Sequence, residues 1–132
     1  MESLYRGKRI DNGEWVYGNL IGEDVIVPKG QEFYIEGHYL DSGLDMYIVD
    51  PKTVGQYTDL KDKNDKKIFK GNIVKCYDEM FRKAFIGEVV YRSGSFCIKE
   101  AEDDYLYHFR WDDYECEVIG NIHDNPELLK GI

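Results

Sequence analysis

The stretch EVVYRSGSFCIK, residues 88–99, decides the fold class, because it places a turn sequence between two alternating apolar runs. Val89 and Tyr91 lie on one face of the first run, since side chains alternate across a strand. The second run, FCIK, alternates in the same way, and the RSGS segment between them supplies turn residues. The stretch therefore predicts a β-hairpin.

The same period of two continues outward from the hairpin in both directions. Aromatic and β-branched residues form short runs separated by Gly, Asp and Asn, a pattern typical of an all-β sandwich or barrel. The runs predict further strands at residues 15–21, 24–27, 33–35, 46–49, 53–58, 68–76, 105–109 and 114–120.

Two windows depart from this period. Residues 78–85 fit a helical turn or an irregular insertion, because their four apolar side chains can share a helical face. Near the C-terminus, Asn125 followed by Pro126 has the form of an N-cap and first helical position. This predicts a short C-terminal helix.

The length of 132 residues suits one domain or two closely joined lobes. The most polar stretch, LKDKNDKK at residues 60–67, is typical of a solvated loop. We therefore expect a single domain, 1–132, composed of two joined sub-regions at about 1–60 and about 61–132.

The formal net charge of −9 disfavours nonspecific binding to nucleic acid or anionic lipid. The charge is also segregated along the chain. Residues 100–127 hold ten acids and one base, whereas residues 61–99 hold ten bases and five acids. A local basic patch that contacts nucleic acid is therefore not excluded.

Two candidate surfaces follow from this segregation. The acidic one is a candidate partner-binding site and contains Glu100, Glu102, Asp103, Asp104, Asp112, Asp113, Glu115 and Glu117. The basic one is a loop that contains Lys61, Lys63, Lys66, Lys67 and Lys70. On opposite faces of identical chains, these surfaces would favour a homo-oligomer. As an alternative, acids of the stretch 100–127 in rows on one face would mimic DNA and inhibit a host DNA-binding enzyme. As a further alternative, the basic loop 61–70 with aromatic stacking would bind nucleic acid.

The sequence assigns no catalytic, cofactor-binding or metal-binding residue. It lacks a nucleophile elbow and phosphate-binding glycine motifs, and its Cys and His spacings do not match a zinc site. Three widely spaced cysteines disfavour a disulfide framework and favour a reducing cytoplasm. No apolar run approaches the ~18 residues of a membrane span, and no signal peptide is evident. We therefore expect a non-enzyme with no membrane partner, although a Cys–His pair in a deep pocket would favour an enzyme.

Three long stretches carry a family resemblance. They are YRGKR through EWVYGNL in residues 5–20, VGQYTDLKDKNDKKIFKGNIV at 54–74, and YECEVIGNIHDNPELL at 114–129. Together they resemble the YopX family of phage and prophage proteins from Gram-positive bacteria. The family pattern usually has Gly where Asp59 and Asp65 stand, and this difference changes loop chemistry.

The resemblance implies a mainly β protein of phage or prophage origin that acts in the bacterial cytoplasm, and it transfers no functional residue. The segment IFKGNIV, residues 68–74, is similar to the first strand of small SH3-like barrels. The predicted fold is thus mainly β, with antiparallel strands in a small, partly open barrel. Its C-terminal part is expected to be SH3-like. The predicted function is non-enzymatic binding of an unidentified phage or host protein, with self-association.

Overall fold

The structure is a computed structural model that describes residues 4–28, 34–35, 38–39, 46–79, 81–102, 105–108 and 114–130. The described chain is mainly β and its strands pair antiparallel, as predicted. The strands are β1 Tyr5–Lys8, β2 Trp15–Ile21, β3 Val25–Pro28, β4 Tyr34–Ile35, β5 His38–Tyr39, β6 Tyr47–Ile48, β7 Gly55–Lys61, β8 Lys67–Phe69, β9 Asn72–Asp78, β10 Lys83–Arg92, β11 Ser95–Glu100, β12 Leu106–His108 and β13 Tyr114–Asn121.

The chain forms two compact units, residues 1–57 and 58–132. In unit 1 the strands pair in the order β6-β3-β2-β1, and the start of β7 lies beside β1. β4 and β5 form a separate small pair. The core of this unit includes Ile26, Val27 and Val49, whose side chains are fully buried. β7 continues into unit 2, where β8 lies beside it.

Close packing in unit 1 depends on a glycine and a short turn. A Cβ on Gly7 would lie 2.8 Å from a Val49 methyl group, so glycine allows β1 to approach that core side chain. The 3-10 turn Pro51–Thr53 follows Asp50, whose side chain accepts from the Lys52 N–H. The hydroxyl of Thr53 then accepts a hydrogen bond from the Lys8 N–H at 2.8 Å. These contacts fix the segment that leads into β7.

Unit 2 is built on a five-stranded sheet in the order β12-β11-β10-β9-β13. The predicted hairpin is confirmed as β10 and β11, in which Val89 pairs with Ile98 and Tyr91 pairs with Phe96. One face of the sheet is apolar and forms the core with β8, through Ile68, Val74, Cys76, Phe85, Val89, Ile98 and Cys116. The alternating sequence pattern places these apolar side chains on one face, and their burial is its main contribution to the stability of unit 2.

The unit 2 sheet is open, and the described strands form no closed barrel. Its end strands, β12 and β13, are the first and last in the order and do not pair with each other. The SH3-like detail of the predicted fold stays a prediction.

The helical expectation for residues 78–85 is wrong. The chain turns after β9, with Arg82 at a φ of +51°, and β10 begins at Lys83. Phe85 pairs with Cys76 and Ile86 with Lys75, so strand pairing overrides a weak helical periodicity. Met80 lies outside the described residues.

The C-terminal helix is limited to a 3-10 turn of four residues, Pro126–Leu129. Asn125 precedes it as expected, but its side chain makes no capping hydrogen bond. Its Oδ1 instead accepts from the Asn121 N–H at 3.2 Å. A turn of this length without a side-chain cap is typical of a segment held by tertiary contacts and not by helix propensity.

Candidate interaction surfaces

The predicted basic loop between β7 and β8 is organised by an acidic residue, Asp62. Its Oδ1 accepts hydrogen bonds from the N–H groups of Asn64 at 2.8 Å and Lys66 at 2.9 Å. Its Oδ2 accepts from the Val118 N–H at 2.9 Å. Burial alone would raise the pKa of the Asp62 carboxyl, but the backbone donors of Val118, Lys66 and Asn64 outweigh it. The pKa is held below its ordinary value.

The loop is docked on β13, the strand that carries part of the acidic surface. Besides the bond from Val118 to Asp62, the Lys63 N–H donates to the Cys116 carbonyl at 3.0 Å. The Lys63 ammonium also lies 3.9 Å from Glu117 Oε1. The predicted basic and acidic surfaces are therefore neighbours at this point and not opposite faces.

All five lysines of the predicted basic surface are exposed: Lys61, Lys63, Lys66, Lys67 and Lys70. Their charge is partly balanced within the chain, since Lys61 lies 3.6 Å from Asp65 and Lys63 lies near Glu117. Exposed ion pairs of this kind contribute little to stability. They do reduce the net positive charge that the loop offers to a phosphate backbone.

The acidic candidates have different environments. Glu102 and Glu115 are exposed, Glu117 is half-buried, and Glu100 is buried with 4% of its surface exposed. The remaining four acids of the prediction lie outside the described residues: Asp103, Asp104, Asp112 and Asp113.

The register of the sheet decides which described acids share a face. Glu100 is opposite Gly87, which is itself opposite Val74 on the apolar face. Glu117 is opposite Lys75, whose side chain is exposed on the other face. Glu100 and Glu117 therefore project from opposite faces, and the described acids do not form the single row that DNA mimicry requires.

Glu100 instead belongs to a polar cluster at one end of the apolar face. Its Oε1 lies 3.1 Å from the Lys83 ammonium, and its Oε2 is buried with no hydrogen-bond partner. Tyr107 stacks on Phe85 with ring centroids 4.0 Å apart. Burial raises the pKa of the Tyr107 hydroxyl, and the nearby Glu100 carboxylate raises it further.

Cys76 and Cys116 form a disulfide, which corrects the expectation that the cysteines stay unpaired. The two residues are directly opposite each other across β9 and β13, with Cα atoms 4.2 Å apart. Their separation of 40 positions carries no local signal. Only the pairing of β13 with β9 brings them together.

The structure also brings Cys97 and His108 together, which the sequence left open. They are opposite each other across β11 and β12, and the Cys97 Sγ lies 3.3 Å from the His108 Nδ1. The Cys97 side chain is fully buried. Among the described residues, no group of three or more Cys, His, Asp or Glu side chains could hold a metal ion.

Unit 1 carries an apolar surface that the sequence did not single out. Ile48 of β6 is opposite Val25 of β3, and Val25 is opposite Ile21 of β2. The Ile10 N–H donates to the Ile48 carbonyl at 3.2 Å. We name this surface the β6 edge patch, after its four exposed residues, Ile10, Ile21, Met46 and Ile48. Ile10 is 65% exposed and Ile48 55% exposed.

Comparisons with known proteins agree with this architecture. A family model described as YopX protein matches residues 4–130. Among solved structures, protein EF1440 from Enterococcus faecalis is similar over 98% of this chain and 99% of its own, at 24% identity and a TM-score of 0.55. Among curated proteins, none matches. Within the described ranges, no helical segment is long and apolar enough to be a membrane span.

Proposed function

Since the chain belongs to the YopX family, we propose that it is a non-enzymatic accessory protein of phage or prophage origin. In this proposal it binds a phage or host protein, and it also binds a second copy of itself. The supporting observation is the β6 edge patch, which leaves four large apolar side chains exposed on unit 1.

The position of the patch favours a protein partner. Exposed apolar side chains that are scattered singly are ordinary, but contiguous ones mark interaction surfaces. Here Ile21 and Ile48 lie in one cross-strand row, with Val25 between them. The outer side of β6 is bonded to residues 8–10 through the Arg9–Val49 bridge and the Ile10 N–H, so the patch offers exposed side chains and not an open strand edge. Burial of this row against another protein would remove apolar area from water.

Self-association is supported by the same patch more than by charge. Complementary charges were the sequence-based reason for it, but Lys63 and Glu117 already pair within the chain. An apolar patch on identical chains can meet itself across a two-fold axis, as in most homodimers.

Affinity capture tests this function. A tagged chain would be expressed in a phage-carrying host together with an untagged copy, as wild type, Ile48→Asp and Phe81→Asp. Phe81 is 73% exposed in unit 2, so its variant is a matched control for a charge placed on an exposed apolar residue. We expect the wild type and the control to capture the same proteins, including the untagged copy, and Ile48→Asp to lose them. Capture that is unchanged by Ile48→Asp would refute the role of the patch.

A further inference from the structure

A cleft of about 270 Å³ in unit 2 lies along the edge of β10. It is lined by residues 83–86 of that strand, by residues 100–102, and by Lys75 and Leu128. Consecutive strand residues point to alternate faces. A cleft that touches four consecutive residues of β10 therefore follows the strand edge and does not lie over one face.

This part of β10 has a strand partner on one side only among the described residues. Its pairing with β11 begins at Gly87, opposite Glu100, and the Ala101 N–H then donates to the Ile86 carbonyl at 3.0 Å. Beyond that bond, residues 83–85 pair with β9 alone. Ala84 is two residues from Ile86, so its N–H and C=O point to the same side as the Ile86 carbonyl, towards the cleft.

A buried acceptor atom without a hydrogen-bond partner lies beside the same cleft. Glu100 borders the cleft, and its Oε2 is buried without a hydrogen-bond partner while Oε1 is held by Lys83. Buried polar atoms are nearly always paired in native proteins. A carboxylate oxygen pairs most strongly with a charged N–H donor.

We propose that this cleft is a docking site for an extended peptide segment of a partner protein that carries an arginine or lysine. The segment adds to the open edge of β10 where β11 ends, and one of its residues exchanges backbone hydrogen bonds with Ala84. Its basic side chain donates to Glu100 Oε2. The proposal rests on the protein-binding function above but uses a surface other than the β6 edge patch.

A titration followed by amide NMR of the full chain tests this site. The probe is the capped peptide Thr-Val-Arg-Val-Thr, and the control peptide has Glu in place of Arg. We expect saturable shifts at residues 83–86 and 100–102, and binding of the Glu peptide weaker by about tenfold or more, since a charged hydrogen bond is lost.

Two variants make the test specific. Ala84→Pro removes the N–H that faces the cleft but leaves the pairing of β10 with β9, and we expect it to abolish binding. Glu100→Gln keeps the side-chain size and should bring the two peptides to nearly equal affinity. The dispersed amide spectrum of each variant reports that it is folded.

Three results would overturn the proposal. They are the absence of saturable shifts at these residues, equal binding of both peptides by the wild type, and shifts at residues 83–86 that depend on protein concentration without peptide. The last would assign the edge to a second copy of the chain. If capture still depends on Ile48 while the cleft binds no peptide, the protein-binding function stands and only the cleft assignment fails.

Discussion

The two end strands β13 and β6 are both covered along their outer backbone, but among the described side chains only β6 carries an exposed large apolar one, Ile48. The loop after β7 reaches the outer side of β13, where Asp62 accepts from the Val118 N–H and Lys63 donates to the Cys116 carbonyl. On the outer side of β6, Arg9 bridges to Val49 and the Ile10 N–H donates to the Ile48 carbonyl, but the side chains of Ile10 and Ile48 are exposed. Proteins normally protect sheet edges against pairing with other chains. Both backbones are protected, and the difference lies in the side chains: the cover on β13 serves stability, whereas the apolar side chains of the β6 edge patch are left for association.

The largest effect should come from breaking the disulfide that holds β13 to β9. The closed loop of about 40 residues predicts a loss of about 2–4 kcal/mol in the free energy of unfolding when Cys76–Cys116 is reduced. Urea unfolding with and without dithiothreitol measures this. The double variant Cys76→Ser/Cys116→Ser is the control and should not respond to the reductant. A wild type that is equally stable when reduced would show that the pair does not stabilise the β13 edge.

A slightly smaller loss is expected from Asp62→Ala. The substitution leaves the N–H groups of Asn64, Lys66 and Val118 without their carboxylate acceptor, so unfolding should become easier by roughly 2–3 kcal/mol. Asp65→Asn is the control, because Asp65 is exposed, its side chain makes a surface ion pair, and Asn also tolerates its φ of +66°. Its effect should stay within about 0.5 kcal/mol. Equal losses for both variants would contradict the role of Asp62.

The contribution of Asp62 should depend on pH in a defined direction. Its folded pKa is lowered, so the stabilisation is present above the unfolded pKa of about 3.9 and is lost as pH falls through the folded value. We expect the stability difference between wild type and Asp62→Asn to be constant near pH 7 and to shrink below about pH 4. Urea titrations at a series of pH values measure it. A difference that grows on acidification would contradict this account.

The smallest effect on stability is expected at the other edge. Ile48→Asp changes an exposed side chain, so the free energy of unfolding should change by no more than about 0.5 kcal/mol. The same variant should have a large effect on association. A stability loss comparable to that of Asp62→Ala would mean that Ile48 is part of the core and not of a binding surface.

The local sequence pattern was sufficient to predict the strands that bury one face. The predicted strand at residues 15–21 coincides with β2, and the predicted hairpin at residues 88–99 is confirmed by the pairing of β10 with β11. Such elements are specified by neighbours in sequence, because the period of two places their apolar side chains on one side.

Contacts between distant residues were not predictable in the same way. The bond from Val118 to Asp62 spans 56 positions, and the two disulfide cysteines are 40 apart. Their approach depends on β13 pairing with β9, which no local spacing encodes. Residues 78–85 show the converse case, since pairing with β9 overrides a helical pattern. The charge count predicted an acidic surface, but the sheet register places Glu100 and Glu117 on opposite faces.

Association through the β6 edge patch is the central claim, and light scattering across a concentration series tests it most directly. The wild type should show a molar mass that rises above the 15.5 kDa of one chain, whereas Ile48→Asp should remain at that value at every concentration. The control Phe81→Asp should behave as the wild type. A wild type that stays at 15.5 kDa, or an Ile48→Asp variant that associates equally well, would contradict the account.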